Sequence, residues 1–351
     1  MSNESPSKIG NRQSAMQTRL LYLFTRTPLH VGAGDSVGPI DQPIIRERHT
    51  GFPIIPASSL KGTFADAWDA ELEQEGKKFL RVTAKKNEMD QYVPDEMKDA
   101  AWLFGSNNDK VAFTGALQFC EARLLAFPIR SAKGSFAWIT CPLILERASR
   151  DGVVNKTLVP QFPKPAAGQL DQCDEHAFFA ANGPLALGNK IVLEEYTFTH
   201  TGELPEGLAA ALAQLLTDDP VWQEVTSRLV VLSDGMMSFF AQNACEVAQH
   251  VRISDETGTA EGGALFNQEN VPSETLFYSI LHAFDERTAN KANGERRKAN
   301  EAINAFQGKD KEGHDQSDKP GVRDGSVFQF GGDASTGLGY CTVKLNGVKG
   351  A

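Results

Sequence analysis

Hydrophobic positions along the chain fall into short blocks separated by glycine, proline and polar punctuation. The first eighteen residues are polar, rich in Ser, Asn and Gln, and read as a flexible extension. Leu20 to Phe24 then form an apolar run that reads as a buried strand, closed by Pro28, Gly32 and Gly34. After a long loop punctuated by Pro39, Pro43 and Gly51, the residues Leu60, Phe64, Trp68 and Leu72 recur every fourth position on one helical face. Ser58 and Ser59 stand where the N-cap of that helix is expected.

The rest of the chain reads mainly as strands and insertions. Segments 115–125 and 136–145 have strand character, with a turn-containing connection over 127–134. Segment 247–253, the polar tip 255–258 and segment 264–266 predict a projecting hairpin. Leu276 to Phe284 predicts another strand, and 286–306 is charged with helical character. Short strands at 327–330 and 340–345 flank a glycine-rich turn. Segments of about 77–110, 151–190 and 286–325 look like insertions, with 308–325 an almost wholly polar loop. The pattern is that of a single α+β sheet domain over 19–345, compatible with a ferredoxin-like or RNA-recognition-motif core.

Composition narrows the classes. A chain of 351 residues that is 41% hydrophobic can bury a sizeable core. It has no membrane-length apolar run and no signal-peptide core at its start, which predicts a cytoplasmic protein. Its five cysteines are scattered, without zinc-site or disulfide-scaffold spacing. A net charge of -10 argues at first against a nucleic-acid partner. Basic residues nevertheless cluster, with Arg46, Arg48, His49 and Lys61 in one stretch and Arg123, Arg130, Lys133, Arg147 and Arg150 in another.

Three segments could carry chemistry. Gly331 to Gly339 holds four glycines in nine residues, which permits either close backbone approach to a phosphate or simply a tight hairpin; no Lys-Ser/Thr follows to make it a Walker loop. Asp41 sits in a proline-framed loop with Arg46 and Arg48 downstream, where a carboxylate can bind a divalent metal, accept a proton or merely cap a turn; His30 nearby reads equally as a partly buried structural histidine. Ser58 to Gly62 gathers hydroxyls, Lys61 and a helix start, an anion site or an ordinary capped helix.

Taken in order, TPLHVGAGDSVGPIDQPIIRERHTGFPIIPASSLKG, FPIRSAKGSFAWITCPLIL, VRISDETGTAEGGALFNQENVPSETLFYS and FGGDASTGLGY resemble the RAMP superfamily. Within it, the likeness is to the fourth-Cmr-subunit family, the backbone proteins of type III-B CRISPR effectors, and spans Thr27 to Tyr340. The resemblance implies an RNA-recognition-motif-like palm, a hairpin thumb over 247–266, and head-to-tail stacking of copies along a guide CRISPR RNA beside other Cmr subunits. It further implies that the thumb displaces a nucleotide of the guide-target duplex at regular intervals, where the complementary target RNA is cut.

By resemblance, Asp41 is the cleavage carboxylate, holding a divalent metal (Mg²⁺, or Mn²⁺ as an alternative) or positioning the attacking 2′-hydroxyl. His30 assists electrostatically. Arg46, Arg48, Ser59, Lys61, Arg252, Gly332 and Gly337 face RNA. Where many relatives carry two acids and an aromatic before the proline that follows the thumb, this chain has Asn267, Gln268, Glu269 and Asn270, and Glu269 is expected to keep part of the catalytic role. Two rival functions remain: a guide-processing endoribonuclease relying on a histidine base, and a non-catalytic RNA-binding scaffold. No cofactor fingerprint or nucleophile elbow supports an enzyme of another kind.

Overall fold

The computed structural model describes residues 16–34, 38–69, 73–74, 77–78, 80–163, 173–254, 256–287 and 296–347. Of the expected N-terminal extension, only its last three residues fall among them, and Leu72 lies outside. The contacts divide the chain into two units, one of residues 19–67, 119–281 and 322–351, the other of residues 1–18, 68–118 and 282–321.

The larger unit is built on a mixed sheet. Its strands run in the order Lys190–Leu193, Tyr196–Gly202, His176–Phe178, Leu229–Val231, Ser135–Thr140, Ala122–Ser131, Leu276–Ala283, Gln17–Thr25, Tyr340–Gly347 and Ser326–Gln329. The apolar run at the start of the chain is the strand Gln17–Thr25, and Leu21, Leu23 and Phe24 are essentially solvent-free. Such a strand, apolar on consecutive residues, is covered on both faces. It pairs antiparallel with Tyr340–Gly347 in the register Leu21 to Leu345. That pairing sets the glycine-rich turn beside the loop that begins at Pro28.

The helix expected from the four-residue repeat spans Ala57–Asp69, with Leu60 and Phe64 fully buried. It begins earlier than Ser58 and Ser59 suggest, so both serines lie in its first turn rather than at its N-cap. Phe64 meets Phe119, Phe328 and Phe330 at ring-centroid distances of 5.5, 5.0 and 5.6 Å. Cutting Phe64 back to Ala would cost about 3–5 kcal/mol. The same helix therefore holds the strand that leads into the glycine-rich turn.

Two expectations change. The strand Ala122–Ser131 runs straight through Pro128, and the connection is only the short turn before Ser135. The apolar run 136–145 is not one strand: it ends at Thr140, and Pro142 opens a helix, Pro142–Arg150, at the position where a missing N–H costs nothing. In the smaller unit, segment 77–99 contains a hairpin of Val82–Lys86 with Tyr92–Met97, and 286–306 contains the helix Ala299–Phe306.

Candidate nucleic-acid interface and cleavage site

A second hairpin in the larger unit pairs Glu246–Ile253 with Ala260–Asn270. Its outer part is exposed and apolar: Val251, Ile253 and Leu265 are 49, 52 and 66% exposed. Its foot is the reverse, with Gln268, Glu269 and Asn270 only 1, 4 and 3% exposed. Arg252 lies in the first strand, and its side chain is outside the described residues.

The loop carrying Asp41 is laid along that foot. Gln42 and Gln268 form a parallel bridge. Gln42 N–H donates to the Asn267 carbonyl at 3.1 Å, and Glu269 N–H donates to the Gln42 carbonyl at 2.9 Å. Asn267 grips the loop with its side chain as well, accepting from Asp41 N–H on Oδ1 at 2.7 Å and donating from Nδ2 to the Pro39 carbonyl at 3.2 Å. Its own N–H donates to Asp41 Oδ2 at 2.8 Å. One oxygen of an exposed carboxylate is thereby pinned, while Oδ1 of Asp41 has no partner among the described residues. A carboxylate so held has a fixed orientation and a free lone-pair face.

Glu269 is placed differently from the catalytic role expected of it. Its Oε1 accepts from Arg46 Nη2 at 2.5 Å and its Oε2 from Ile44 N–H at 3.1 Å, both in the interior. It holds the Asp41 loop from beneath, with both carboxylate oxygens occupied. Arg46 also turns inward rather than toward RNA, donating from Nη1 to the carbonyls of Gly51 at 2.8 Å and Ala241 at 2.6 Å. Its Nη2 reaches Cys245 Sγ at 3.3 Å, and burial pushes that thiol up to about 11. The pair is enclosed, with 18 and 6% of the two side chains exposed, and removing either partner would strand a buried charge.

His30 joins the foot to the glycine-rich turn. It is 8% exposed, and its Nδ1 is 2.7 Å from the Glu269 carbonyl. A carbonyl only accepts, so Nδ1 carries a proton and donates to it. The His30 carbonyl accepts from Gly332 N–H at 2.9 Å. Any side chain at Gly331, where φ is +75°, would place its Cβ 2.0 Å from that carbonyl oxygen, so this approach requires glycine. Gly339, at φ +79°, is equally confined, 1.9 Å from the Phe330 carbonyl oxygen. A further link, Gln268 Nε2 to Asp333 Oδ2 at 2.5 Å, ties the exposed turn to the buried foot.

The structure thus gathers His30, Asp41, Glu269 and Gly332 into one place, with Asn267, Gln268 and Asp333 as members that residue type alone did not single out. Gly337 lies in the same turn, at φ +86°. Arg48 and Lys61 are exposed and Ser59 is half-buried. The two basic stretches do meet, but their charge is largely matched. Arg147 donates to Glu47 at 2.8 Å and reaches His49 Nε2 at 2.9 Å, Arg123 faces Glu121 and Asp151, and Arg130 faces Glu194. Burial would raise the Glu47 carboxyl, but the Thr50 hydroxyl and Arg147 outweigh it and hold it below its usual range.

No three-ligand metal cluster includes Asp41 among the described residues; the group that does meet that geometry is the exposed set Asp310, Glu312 and His314. Among the described residues, no helix is long and apolar enough to cross a membrane.

The family model described as "RAMP superfamily" matches residues 23–342, and the chain belongs to that superfamily. It is similar to the CRISPR system Cmr endoribonuclease Cmr4 of Pyrococcus furiosus, with 28% identity over 95% of this chain and 97% of the relative. A shorter match, 32% identical over 28% of this chain and 40% of the relative, is to the Cms endoribonuclease Csm3 of Streptococcus thermophilus. Among solved structures, oligomeric Cmr4 of P. furiosus aligns with a TM-score of 0.57 at 22% identity, covering 95% of this chain and 98% of the other. A chain of the type III-B Cmr-β assembly in its apo state aligns at 0.60 and 17% identity, with the same coverage. These likenesses place the α+β fold among the Cmr4 structures.

Proposed function

We propose that this chain is the backbone subunit of a type III CRISPR effector, of the III-B class, which stacks in copies along a guide RNA and cuts the target RNA paired to it. The sheet of the larger unit acts as a ferredoxin-like palm and the hairpin Glu246–Asn270 as its thumb. The observation that carries this reading is the Asp41 carboxylate, oriented by Asn267 at the foot of that thumb with one oxygen left for substrate. In support, the relatives Cmr4 and Csm3 carry the name endoribonuclease, and a Cmr-β assembly has been solved bound to cognate target RNA. Guide RNA, target RNA, further copies and other Cmr subunits are then the partners, in the cytoplasm.

The apolar outer half of the thumb enters the guide-target duplex and moves one nucleotide out of the stack. The freed backbone lets the 2′-hydroxyl align with the adjacent phosphorus: a bond from O2′ to phosphorus forms as the bond to the 5′ oxygen breaks, the 2′ proton passing to Asp41 Oδ1 and the departing 5′ oxygen taking one from water. Asp41 Oδ1 accepts the hydroxyl hydrogen bond and orients the attack. The glycine-rich turn, anchored through His30 and Gln268, brings backbone N–H groups to the phosphates, and Arg48 and Lys61 add charge. Sequence is read by base pairing, so the protein needs shape and phosphate contacts.

A divalent ion, Mg²⁺ foremost, fits here only as a site completed by substrate: Asp41 Oδ1 would be the protein ligand, and RNA phosphate oxygens and water the others. Such an ion would spread the charge that builds on the phosphate. His30 is buried and already committed to Glu269, which disfavours the histidine-based processing enzyme.

The test is cleavage of an end-labelled complementary RNA by the assembled, guide-loaded complex, with Mg²⁺ or EDTA, for the native chain and Asp41→Ala. The expected result is a metal-dependent ladder at regular spacing that falls at least about 100-fold in the variant while target binding persists. An unchanged ladder would leave this chain as a scaffold and place the nuclease elsewhere.

A further inference from the structure

The smaller unit contains a cavity of about 430 Å³, within the range of about 300–1,000 Å³ usual for small-molecule sites. None of the residues discussed above for cleavage lines it. One wall is apolar and fixed. Trp68 stacks on Phe306 with ring centroids 5.4 Å apart and planes at 11°, and meets Phe104 edge-on at 5.5 Å. Trp102, beside it, is 5% exposed.

The rest of the lining is cationic. Lys98, Arg297, Lys309, Lys311 and Lys319 converge on the cavity from the start of helix Asp99–Phe104, the lead into helix Ala299–Phe306 and the polar segment after it. The sole acid in the lining, Glu301, is occupied in part by the Lys298 N–H at 3.1 Å. Lys98 and Lys309 make no ion pair among the described residues. Lys311 pairs with Glu312 at 3.4 Å, but on a chain of net charge -10 five cations around a cavity with one lining acid still favour an anion. The Arg297 guanidinium carbon lies 4.8 Å from the Trp102 ring centroid, so a planar cation backed by an indole also lines the space. Guanidinium planes stack on nucleobases, and lysines serve phosphate as mobile point charges.

We propose that this cavity binds a nucleoside monophosphate unit, either free or as one nucleotide of an RNA strand, with the base on the Arg297–Trp102 pair and the phosphate among the lysines. This is a second nucleotide contact, independent of Asp41 and of the thumb.

The test titrates the full chain with AMP, UMP and inorganic phosphate, followed by tryptophan fluorescence and calorimetry. Saturable nucleotide binding about tenfold tighter than phosphate is expected, since base stacking adds to the charge contact. The double variant Lys98→Glu/Lys309→Glu loses nucleotide binding, whereas Arg297→Lys keeps phosphate binding and loses the preference for nucleotide; circular dichroism confirms that both fold. Equal binding of nucleotide by native and double-variant chains overturns the proposal. So does phosphate binding as tight as AMP, or an acidic peptide that displaces AMP more readily than oligoadenylate does.

The source is separated by photo-crosslinking in the assembled complex with 4-thiouridine RNA. Crosslinks in 98–103 or 297–320 identify an RNA nucleotide, and their absence with AMP binding retained identifies a free one. Asp41→Ala leaves AMP binding unchanged, so the two proposals fail separately.

Discussion

The two ends of one hairpin differ more from each other than either does from the rest of the molecule. At its foot, Gln268, Glu269 and Asn270 are polar and buried; toward its tip, Val251, Ile253 and Leu265 are apolar and about half exposed or more. This inverts the usual distribution, and each inversion has a cost. Gln268 and Glu269 meet it with hydrogen bonds to Gln42, Ile44, Arg46 and Asp333, while Asn270 Oδ1 is buried with no partner among the described residues. The outer half does not meet it within the chain, and exposed apolar surface of this kind marks a contact with something else. In the proposed function the foot orients Asp41 and the outer half meets the guide-target duplex.

The sharpest way to break the foot is Glu269→Ala, which leaves the Arg46 guanidinium buried without its carboxylate. A loss of about 3–5 kcal/mol of stability is expected in denaturant melts. Glu269→Gln, which keeps an acceptor oxygen, should lose visibly less; equal losses would show that the ion pair is not what supports the loop. Asn267→Ala is milder. It removes two side-chain bonds to the Asp41 loop but leaves the main-chain bond to Oδ2, so cleavage by the assembled complex should fall about tenfold with little change in melting temperature. The smallest effect on the fold is expected at the outer end. Leu265→Ser should shift stability by less than about 0.5 kcal/mol while weakening cleavage. A large fall in melting temperature would mean that this face packs within the chain.

The division between foot and outer half was only partly readable in the sequence. Local patterns carried far: the buried run Leu20 to Phe24, the helical repeat from Leu60 to Trp68 and the polar tip near Gly258 each matched the element that forms there. Periodicity failed where an apolar run changes its structure midway. Residues 136–145 look uniform, yet the chain leaves the sheet after Thr140 because Cys141 and Pro142 begin a helix. No expectation covered segment 208–243, which holds the helices Leu208–Ala213 and Asp234–Asn243.

At the site, residue type and neighbourhood pointed to Asp41 and His30, but could not say which way Glu269 or Arg46 turns. Each is the other's partner across 223 residues of sequence, and only the fold reveals that two charges of opposite sign have been withdrawn from the surface together. Asn267 lies in the segment where the resemblance implies acids, and so looked like a loss of chemistry. In the structure its amide is well suited to gripping a loop, since it accepts and donates at once.

The parallel pairing of Gln42 with Gln268 has a mechanical consequence. A segment bonded along a strand moves with it, so a tilt of the foot of strand Ala260–Asn270 also turns the Asp41 carboxylate. The glycine-rich turn, tied in through His30 and Gln268, is the bearing against which such a tilt would work, so strain reaching the foot is felt at the carboxylate as displacement.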